Sequence, residues 1–104
     1  FRNNFRARRL IMILKLTQDL SRGFAPWKEM YFENIARLEA IGGKLIFAGS
    51  EANDDNKMMV IMEFDSKEAL QAFGGDEELK AKRAAAGALL ETTVITPMSD
   101  ESFY

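Results

Sequence analysis

The chain has 104 residues, with 14 basic and 16 acidic side chains, a formal net charge of -2, no cysteine and no histidine. This length suits one domain, and the near-balanced charge argues against nucleic acid as a partner, because phosphate binding needs a basic face. Without cysteine and histidine, the chain has no disulfide, no thiolate nucleophile, no proximal haem ligand and no histidine base, and we expect neither metal nor cofactor.

The first nine residues, 1–9, form a basic extension with four arginines and no acid. Met12 makes a plausible strand start, so an upstream start choice would explain the residues before it. The alternatives are a solvated or packed extension and an arm that contacts RNA or a membrane. Since no apolar run approaches the roughly 20 residues of a membrane span, we expect a cytoplasmic protein without a membrane partner.

The first strand and first helix are predicted from residues 10–41. Residues 10–16 are apolar except for Lys15 and predict a strand, and residues 17–25 predict a loop. Pro26 suits the first turn of a helix that runs to about residue 41 and ends at a glycine pair. At a 3.6-residue period, one face of this helix is apolar and carries Trp27, Met30, Tyr31, Leu38 and Ile41. Asn34 interrupts that face.

The stretch 58–64 begins with five consecutive apolar residues and lies between polar turns, at 53–56 before it and Asp65-Ser66 after it. Such a run is typical of a strand covered on both faces, since strands with one wet face alternate. Residues 44–49 predict a shorter strand before it. The short polar connection between these two strands predicts an antiparallel hairpin.

A second helical region follows the hairpin. Asp65 and Glu68 predict a capping box at its start. The glycine pair 74–75 predicts a helix that is kinked or in two pieces, the second of which begins at the acids 76–78 and ends at Gly87.

Residues 89–96 predict the last strand, and their threonines indicate a partly exposed edge. The element order is therefore βαββαβ over residues 10–98, followed by a polar tail at 99–104. This order predicts an α+β, ferredoxin-like fold, a four-stranded antiparallel sheet with its helices on one face.

The sheet's second face predicts an assembly. Whichever residues point toward the helices, the outward residues of the third strand are apolar, either Met58, Val60 and Met62 or Met59 and Ile61. The first strand offers a similar choice. Because a monomer rarely exposes such a face, we expect it to pack on the same face of a second copy, as a two-fold homodimer.

Over residues 10–98 the chain resembles the dimeric α/β-barrel proteins, whose ferredoxin-like sheets close into a barrel between protomers. The resemblance depends on the element order, the apolar central strands, the Trp27 helix, the Phe73-Gly74-Gly75 break and the segment Ala84-Ala85-Ala86-Gly87. The group includes cofactor-independent antibiotic-biosynthesis monooxygenases, haem-degrading enzymes and muconolactone isomerase-like proteins. The histidine-dependent branches are excluded, because this chain has no histidine.

Two other kinds of protein use this topology. RNA-recognition motifs share it, but here Met59 and Ile61 occupy positions where aromatic side chains stack on bases. Small-molecule-sensing regulatory domains also share it, although those are usually joined to larger enzymes. RNA binding is therefore not favoured.

The usual ligand space of this fold lies between the helices and the sheet, and five residues are candidates for lining it: Trp27, Tyr31, Asn34, Phe47 and Arg83. Asn34 would orient a carbonyl or hydroxyl, Tyr31 would donate a proton or hydrogen bond, and Arg83 would hold an anion. The alternatives are an amide satisfied by a backbone carbonyl or water, aromatic core packing, and an arginine at the rim or paired with a carboxylate.

Three functions remain open from the sequence. The first is a homodimer that binds a small hydrophobic or aromatic molecule. The second is a cofactor-independent monooxygenase or isomerase, in which the candidate residues position an electron-rich substrate that itself reacts with oxygen. The third is a structural dimerisation module. Open space beneath Trp27 would favour the first two.

Overall fold

The computed structural model describes residues 11–104 and has the predicted element order, with each helical region divided in two. The four strands are β1 (Met12–Leu20), β2 (Gly43–Glu51), β3 (Asp54–Phe64) and β4 (Ala88–Pro97). The four helices are α1 (Phe24–Glu33), α2 (Ile35–Ala40), α3 (Lys67–Gly74) and α4 (Glu77–Ala85). The predicted basic extension 1–9 and the first residue of the predicted first strand, Leu10, lie outside the described residues.

The strands form one antiparallel sheet in the order β2-β3-β1-β4. The two strands predicted from the apolar runs, β1 and β3, are therefore central, and β4 lies at an edge as predicted. Leu16 pairs with Val60, and Met12 pairs with Phe64, which sets the face that each side chain occupies. The predicted ferredoxin-like fold is confirmed.

The core lies between the inner face of the sheet and the helices. The third strand supplies its two most buried large side chains, Phe64 at 0% exposed and Val60 at 1%. Burying each such side chain contributes roughly 1.5–3 kcal/mol. On the other face of the same strand Met59 is 37% exposed, so within this protomer the apolar run is covered on one face only.

Two strands are longer than predicted. β1 continues through residues 17–20, which were expected to be a loop, because Gln18 and Leu20 point inward and stay buried. β3 begins at Asp54, inside the predicted polar turn. Backbone pairing does not depend on side-chain polarity, so these polar ends stay in the ladder, where Asp19 and Lys57 form an ion pair at 3.0 Å.

The helical caps differ from the prediction in two places. The first helical region is not continuous but breaks at Asn34, whose side-chain Nδ2 donates to the Met30 carbonyl at 2.8 Å. At the start of α3 the capping residue is Ser66, whose Oγ accepts from the Ala69 N–H at 3.0 Å, rather than Asp65. Short polar side chains compete with the backbone for such bonds, so neighbouring candidates are hard to separate by sequence.

The predicted division of the second helical region is confirmed. α3 ends at Gly74, and Asp76 caps α4 by accepting from the Leu79 N–H at 3.1 Å. The Asp76 carboxylate also accepts two hydrogen bonds from Arg37 of α2, at 2.8 and 2.9 Å. These bonds hold the pKa of Asp76 at about 2. The Arg37–Asp76 pair, called the rim pair below, joins the two helical regions.

The outer face of the sheet is mixed rather than apolar throughout. β3 contributes Met59 and Ile61, as one of the two predicted sets, but their partners on β1 are Thr17 and Lys15.

None of the described helices is long and apolar enough to cross a lipid bilayer. The cytoplasmic location stays a prediction.

Candidate functional site

A cavity lies between the helices and the inner face of the sheet, at the position predicted for a ligand. Its volume is about 40 Å³, which holds a few water molecules at most. Its wall is mainly apolar, and its polar or aromatic members include Gln18, Trp27, Tyr31, Asn34 and Arg83. The fold therefore brings four of the five predicted site residues to one place.

A ladder of three aromatic rings runs along α1, and two of them, Trp27 and Tyr31, line the cavity. The Phe24 and Trp27 rings are stacked with centroids 5.8 Å apart, and the Trp27 and Tyr31 rings with centroids 6.0 Å apart and planes 4° from parallel. Residues three and four positions apart share a helix face, which is why these three rings align. Trp27 is buried and Tyr31 is half-buried.

Tyr31 remains a proton donor at neutral pH. Burial, and secondly the charge of Glu39, raises the pKa of the Tyr31 phenol above its ordinary value of 10.0. The hydroxyl can therefore donate a hydrogen bond but cannot act as a base near neutrality.

Gln18 is a cavity residue that the sequence reasoning missed. It lies on β1 and is 3% exposed, the single buried residue with a polar or charged side chain in the described part of the chain. Its Nε2 donates to Thr93 Oγ1 on the neighbouring strand, and its Oε1 is buried without a hydrogen-bond partner. The sequence did contain a signal, because Gln18 lies two residues from both Leu16 and Leu20 and so shares their face of a strand. Residues 17–25 were predicted to be a loop, so this alternation was not recognised.

Trp27 has the complementary defect. The Trp27 Nε1–H group is a hydrogen-bond donor that is buried and has no partner. Within residues 11–104, the only other buried side-chain polar atom without a partner is Gln18 Oε1. Leaving a buried polar group unpaired costs about 1–3 kcal/mol, and native structures contain few such groups. Both residues belong to the cavity lining, although the surface that the cavity exposes is almost entirely apolar.

Arg83 of α4 contributes a positive charge. Its guanidinium carbon lies 5.5 Å from the centroid of the Phe73 ring. Burial lowers its pKa from the ordinary 12.5, and of the described carboxylates none forms an ion pair with it. An arginine stays protonated at neutral pH in any case, so this is a half-buried cation.

Asn34 also lines the cavity, but its amide N–H is already used. The bond from Nδ2 to the Met30 carbonyl matches the alternative in which a backbone carbonyl satisfies the side chain. Its position at the break between α1 and α2 makes it a structural residue first.

Phe47 was placed in the pocket incorrectly. A bulge between Leu45 and Phe47 shifts the alternation of β2, so Leu45 lines the cavity and Phe47 points to the opposite face, where it is 49% exposed. The Phe47 ring lies over Gly49, since a Cβ added there would come within 3.0 Å of its Cζ atom. One extra residue in a strand reverses the face of the side chains beyond it.

The arrangement can bind and orient, and it can stabilise negative charge. Both titratable groups in the cavity wall, Tyr31 and Arg83, are protonated at neutral pH, so they supply donors and a cation but no base. Among residues 11–104, no three carboxylates converge to hold a metal ion.

Solved structures with the same fold span nearly the whole chain. A putative antibiotic biosynthesis monooxygenase from Nitrosomonas europaea matches with a TM-score of 0.65 and 10% identity, over 88% of this chain and 91% of that one. A dimeric ferredoxin-like protein from an uncultured marine organism matches with a TM-score of 0.60 and 18% identity, over 94% and 95%. A cofactor-independent oxygenase from Streptomyces nogalater matches with a TM-score of 0.61 and 12% identity, over 89% and 95%.

No family model and no curated protein sequence matches the chain. At these identities the structural matches establish the fold alone, and it is the predicted ferredoxin-like one.

Proposed function

We propose that this chain, which has a ferredoxin-like fold, binds a small hydrophobic or aromatic molecule in the cavity between its helices and its sheet. The observation that carries the proposal is an apolar cavity whose lining includes Trp27 and Gln18, each of which has a buried side-chain atom without a partner, Nε1 and Oε1 respectively. A ligand that pairs with both removes the cost of leaving them unsatisfied. The apolar remainder of the wall suits an apolar body.

Binding requires the helices to move outward. A volume of about 40 Å³ is far below the roughly 300–1,000 Å³ of ordinary ligand pockets. The first helical region has breaks where it would move: Asn34 lies between α1 and α2, and glycines with positive φ flank the pair, Gly23 at 79° and Gly42 at 92°. A hinge motion at such positions changes few packed contacts.

Trp27 provides a direct test, because it is the only tryptophan in the chain. Titration with a neutral aromatic such as para-cresol should change its emission saturably and raise the thermal midpoint. The variant Leu45→Phe, which fills the cavity, should lose the response. Phe47→Leu, on the same strand but the opposite face, should keep it. A response that survives in Leu45→Phe, or no response to any aromatic, contradicts the proposal.

We further propose that the protein is a homodimer joined through the outer face of the sheet. Three apolar side chains on that face are exposed, Phe47 at 49%, Met59 at 37% and Val94 at 56%. Apolar side chains grouped on one face favour a protein partner, and one solved structure with this fold is described as dimeric. Light scattering should give twice the mass of one chain, and the charged variant Met59→Lys should give monomers.

A cofactor-independent oxygenase or isomerase is the second candidate. It is favoured by the fold shared with the Streptomyces nogalater oxygenase and by two protonated groups in the cavity, Tyr31 and Arg83, that would stabilise an anionic substrate. Oxygen uptake with a panel of quinol-type compounds tests it. Uptake that falls in Arg83→Met would support catalysis, and no uptake would leave binding alone.

The small cavity favours the third candidate, a structural dimerisation module. Its signature would be a stable dimer in which neither Trp27 emission nor thermal stability responds to any aromatic compound.

A further inference from the structure

We propose that the tip of the β2–β3 hairpin is a latch that holds the N-terminal end of α1 in place. The latch consists of Asp55 and Asn56, whose side chains bind the backbone where α1 begins. Its release would let α1 move outward about the break at Asn34, which is the movement that opening the cavity requires. As a control on ligand entry the latch rests on the proposed binding function, but the latch itself is measured in protein without ligand.

The latch contacts join segments that are 31 and 33 positions apart in the chain. The Gly23 N–H donates to Asn56 Oδ1 at 2.8 Å, and the Phe24 N–H donates to Asp55 Oδ2 at 3.1 Å. The second oxygen of Asp55 accepts from Ser50 Oγ at 2.7 Å, which fixes the orientation of the carboxylate. The bonds from Ser50 and from the Phe24 N–H lower the pKa of Asp55, so the carboxylate is ionised at neutral pH. A negative charge therefore lies at the positive end of the α1 dipole.

The sequence of α1 provides no cap of its own. Its N-cap residue is Gly23, which has no side chain, and its first turn contains no acid. By contrast, α3 and α4 each begin with a side-chain cap, from Ser66 and Asp76, and with acids in the first turn. The first N–H groups of a helix need acceptors from outside the helix, and here the hairpin supplies them. The start of α1 therefore depends on a contact that can break without any change within the helix.

Gly23 is the point at which α1 can separate from the loop before it. Its φ of 79° lies in the region that favours glycine, and a Cβ added there would collide with the Asp55 carboxylate. The loop before it is attached to the end of α4, because Ser21 donates to the Gly87 carbonyl through its N–H at 2.8 Å and its hydroxyl at 3.2 Å. Release of the latch therefore frees the chain from Gly23 onward and leaves that loop in place.

Phe24 connects the latch to the cavity. Its N–H is one of the latch donors, and its ring stacks on the Trp27 ring with centroids 5.8 Å apart. Trp27 is 7% exposed and lines the cavity. Displacement of the start of α1 therefore moves the Trp27 ring and admits solvent to it, so the single tryptophan of the chain reports release of the latch.

Hydrogen–deuterium exchange and acrylamide quenching of Trp27 emission test the latch in ligand-free protein. Asp55→Ala removes the acceptor of the Phe24 N–H, so the amides of residues 27–33 should exchange about tenfold faster, the usual effect of losing a hydrogen bond to a charged group. The amides of residues 58–62 in β3 should keep their protection, because release of α1 leaves the sheet paired. Acrylamide should quench Trp27 more strongly than in the unaltered protein.

Two further variants separate the contact from a general loss of charge. Glu51→Ala removes an exposed carboxylate from the same hairpin and should leave both exchange and quenching unchanged. Asp55→Asn removes the charge but retains an oxygen that can accept from the Phe24 N–H, so it should restore part of the protection lost in Asp55→Ala.

Faster exchange confined to α1 supports the latch. An equal rise in residues 27–33 and 58–62 would show that Asp55 contributes only to global stability, and it would overturn the latch, as would unchanged rates in Asp55→Ala. Should Asp55→Ala fail to fold, Ser50→Ala leaves the carboxylate in place without the bond that orients it, and should give a smaller rise confined to the same residues. Failure of para-cresol to bind would contradict the proposed function and not the latch, because no ligand enters this experiment.

Discussion

The two faces of the sheet are built from alternate residues of the same strands, yet they treat polar groups in opposite ways. On the outer face Asp19 and Lys57 meet across two strands at 3.0 Å, and both remain in contact with solvent. On the inner face Gln18, the residue before Asp19, is buried with its oxygen unpaired. The polar groups on the outer face are therefore paired or solvated, whereas the Gln18 oxygen on the inner face is left unpaired within the described protomer.

The largest effect that this comparison predicts concerns apolar packing. Phe64→Ala on the inner face should lower the free energy of unfolding by about 3–5 kcal/mol, because a fully buried ring leaves a cavity. Phe47→Ala on the outer face removes the same atoms from a side chain that is 49% exposed in the protomer. Phe47→Ala should therefore lower the free energy of unfolding by well under half as much as Phe64→Ala. Urea denaturation measures this in a monomeric variant such as Met59→Lys. Equal losses of unfolding free energy in the two variants would contradict the difference in burial between the two faces.

The sequence predicted features that depend on the apolar pattern and missed those that depend on strand ends and bulges. The runs around Leu14 and Val60 identified the central strands because inward positions must be apolar. Trp27 and Tyr31 were correctly grouped because helical spacing is regular. Phe47 was misplaced because a bulge has no clear sequence signature.

Gln18 was missed for a related physical reason. The end of β1 is set by backbone pairing with the polar start of β3, which side-chain pattern does not report. A polar residue inside an otherwise apolar face reads as the end of a strand unless the pairing partner is known. Buried polar groups at a site break the pattern rules by their nature, so sequence reasoning fails first where function is concentrated.

The next effect isolates the unpaired acceptor. Gln18→Met keeps the length of the side chain but removes the buried oxygen, so the free protein should become more stable by up to about 1 kcal/mol. The matched outer-face change, Thr17→Val, should alter stability by less than about 0.5 kcal/mol. Thermal and urea unfolding without ligand measure both. A clear destabilisation by Gln18→Met would mean that the amide serves the fold through Thr93 rather than a ligand.

A third prediction concerns the charges at the rim of the helices, which are paired, unlike Arg83 in the cavity. The pKa of Asp76 is about 2 in the fold against an ordinary 3.8, so the ionised carboxylate stabilises the folded state above about pH 4. That contribution is lost as the pH falls toward about 2. Urea midpoints across this range should fall less steeply in Asp76→Asn. An unchanged slope would mean that the bonds from Arg37 do not persist in solution.

The smallest effect concerns the hinge. Asn34→Leu replaces a poor helix former at the break between α1 and α2 with a good one, and should raise stability by about 0.5 kcal/mol. A straighter, stiffer helix opens less readily, so affinity for para-cresol should fall modestly. Glu33→Leu, an exposed change one residue earlier, is the control and should leave affinity unaltered. If Asn34→Leu raises stability and leaves affinity unchanged, Asn34 neither contacts the ligand nor provides the hinge, and the cavity must open by a movement of α4 and the rim pair instead.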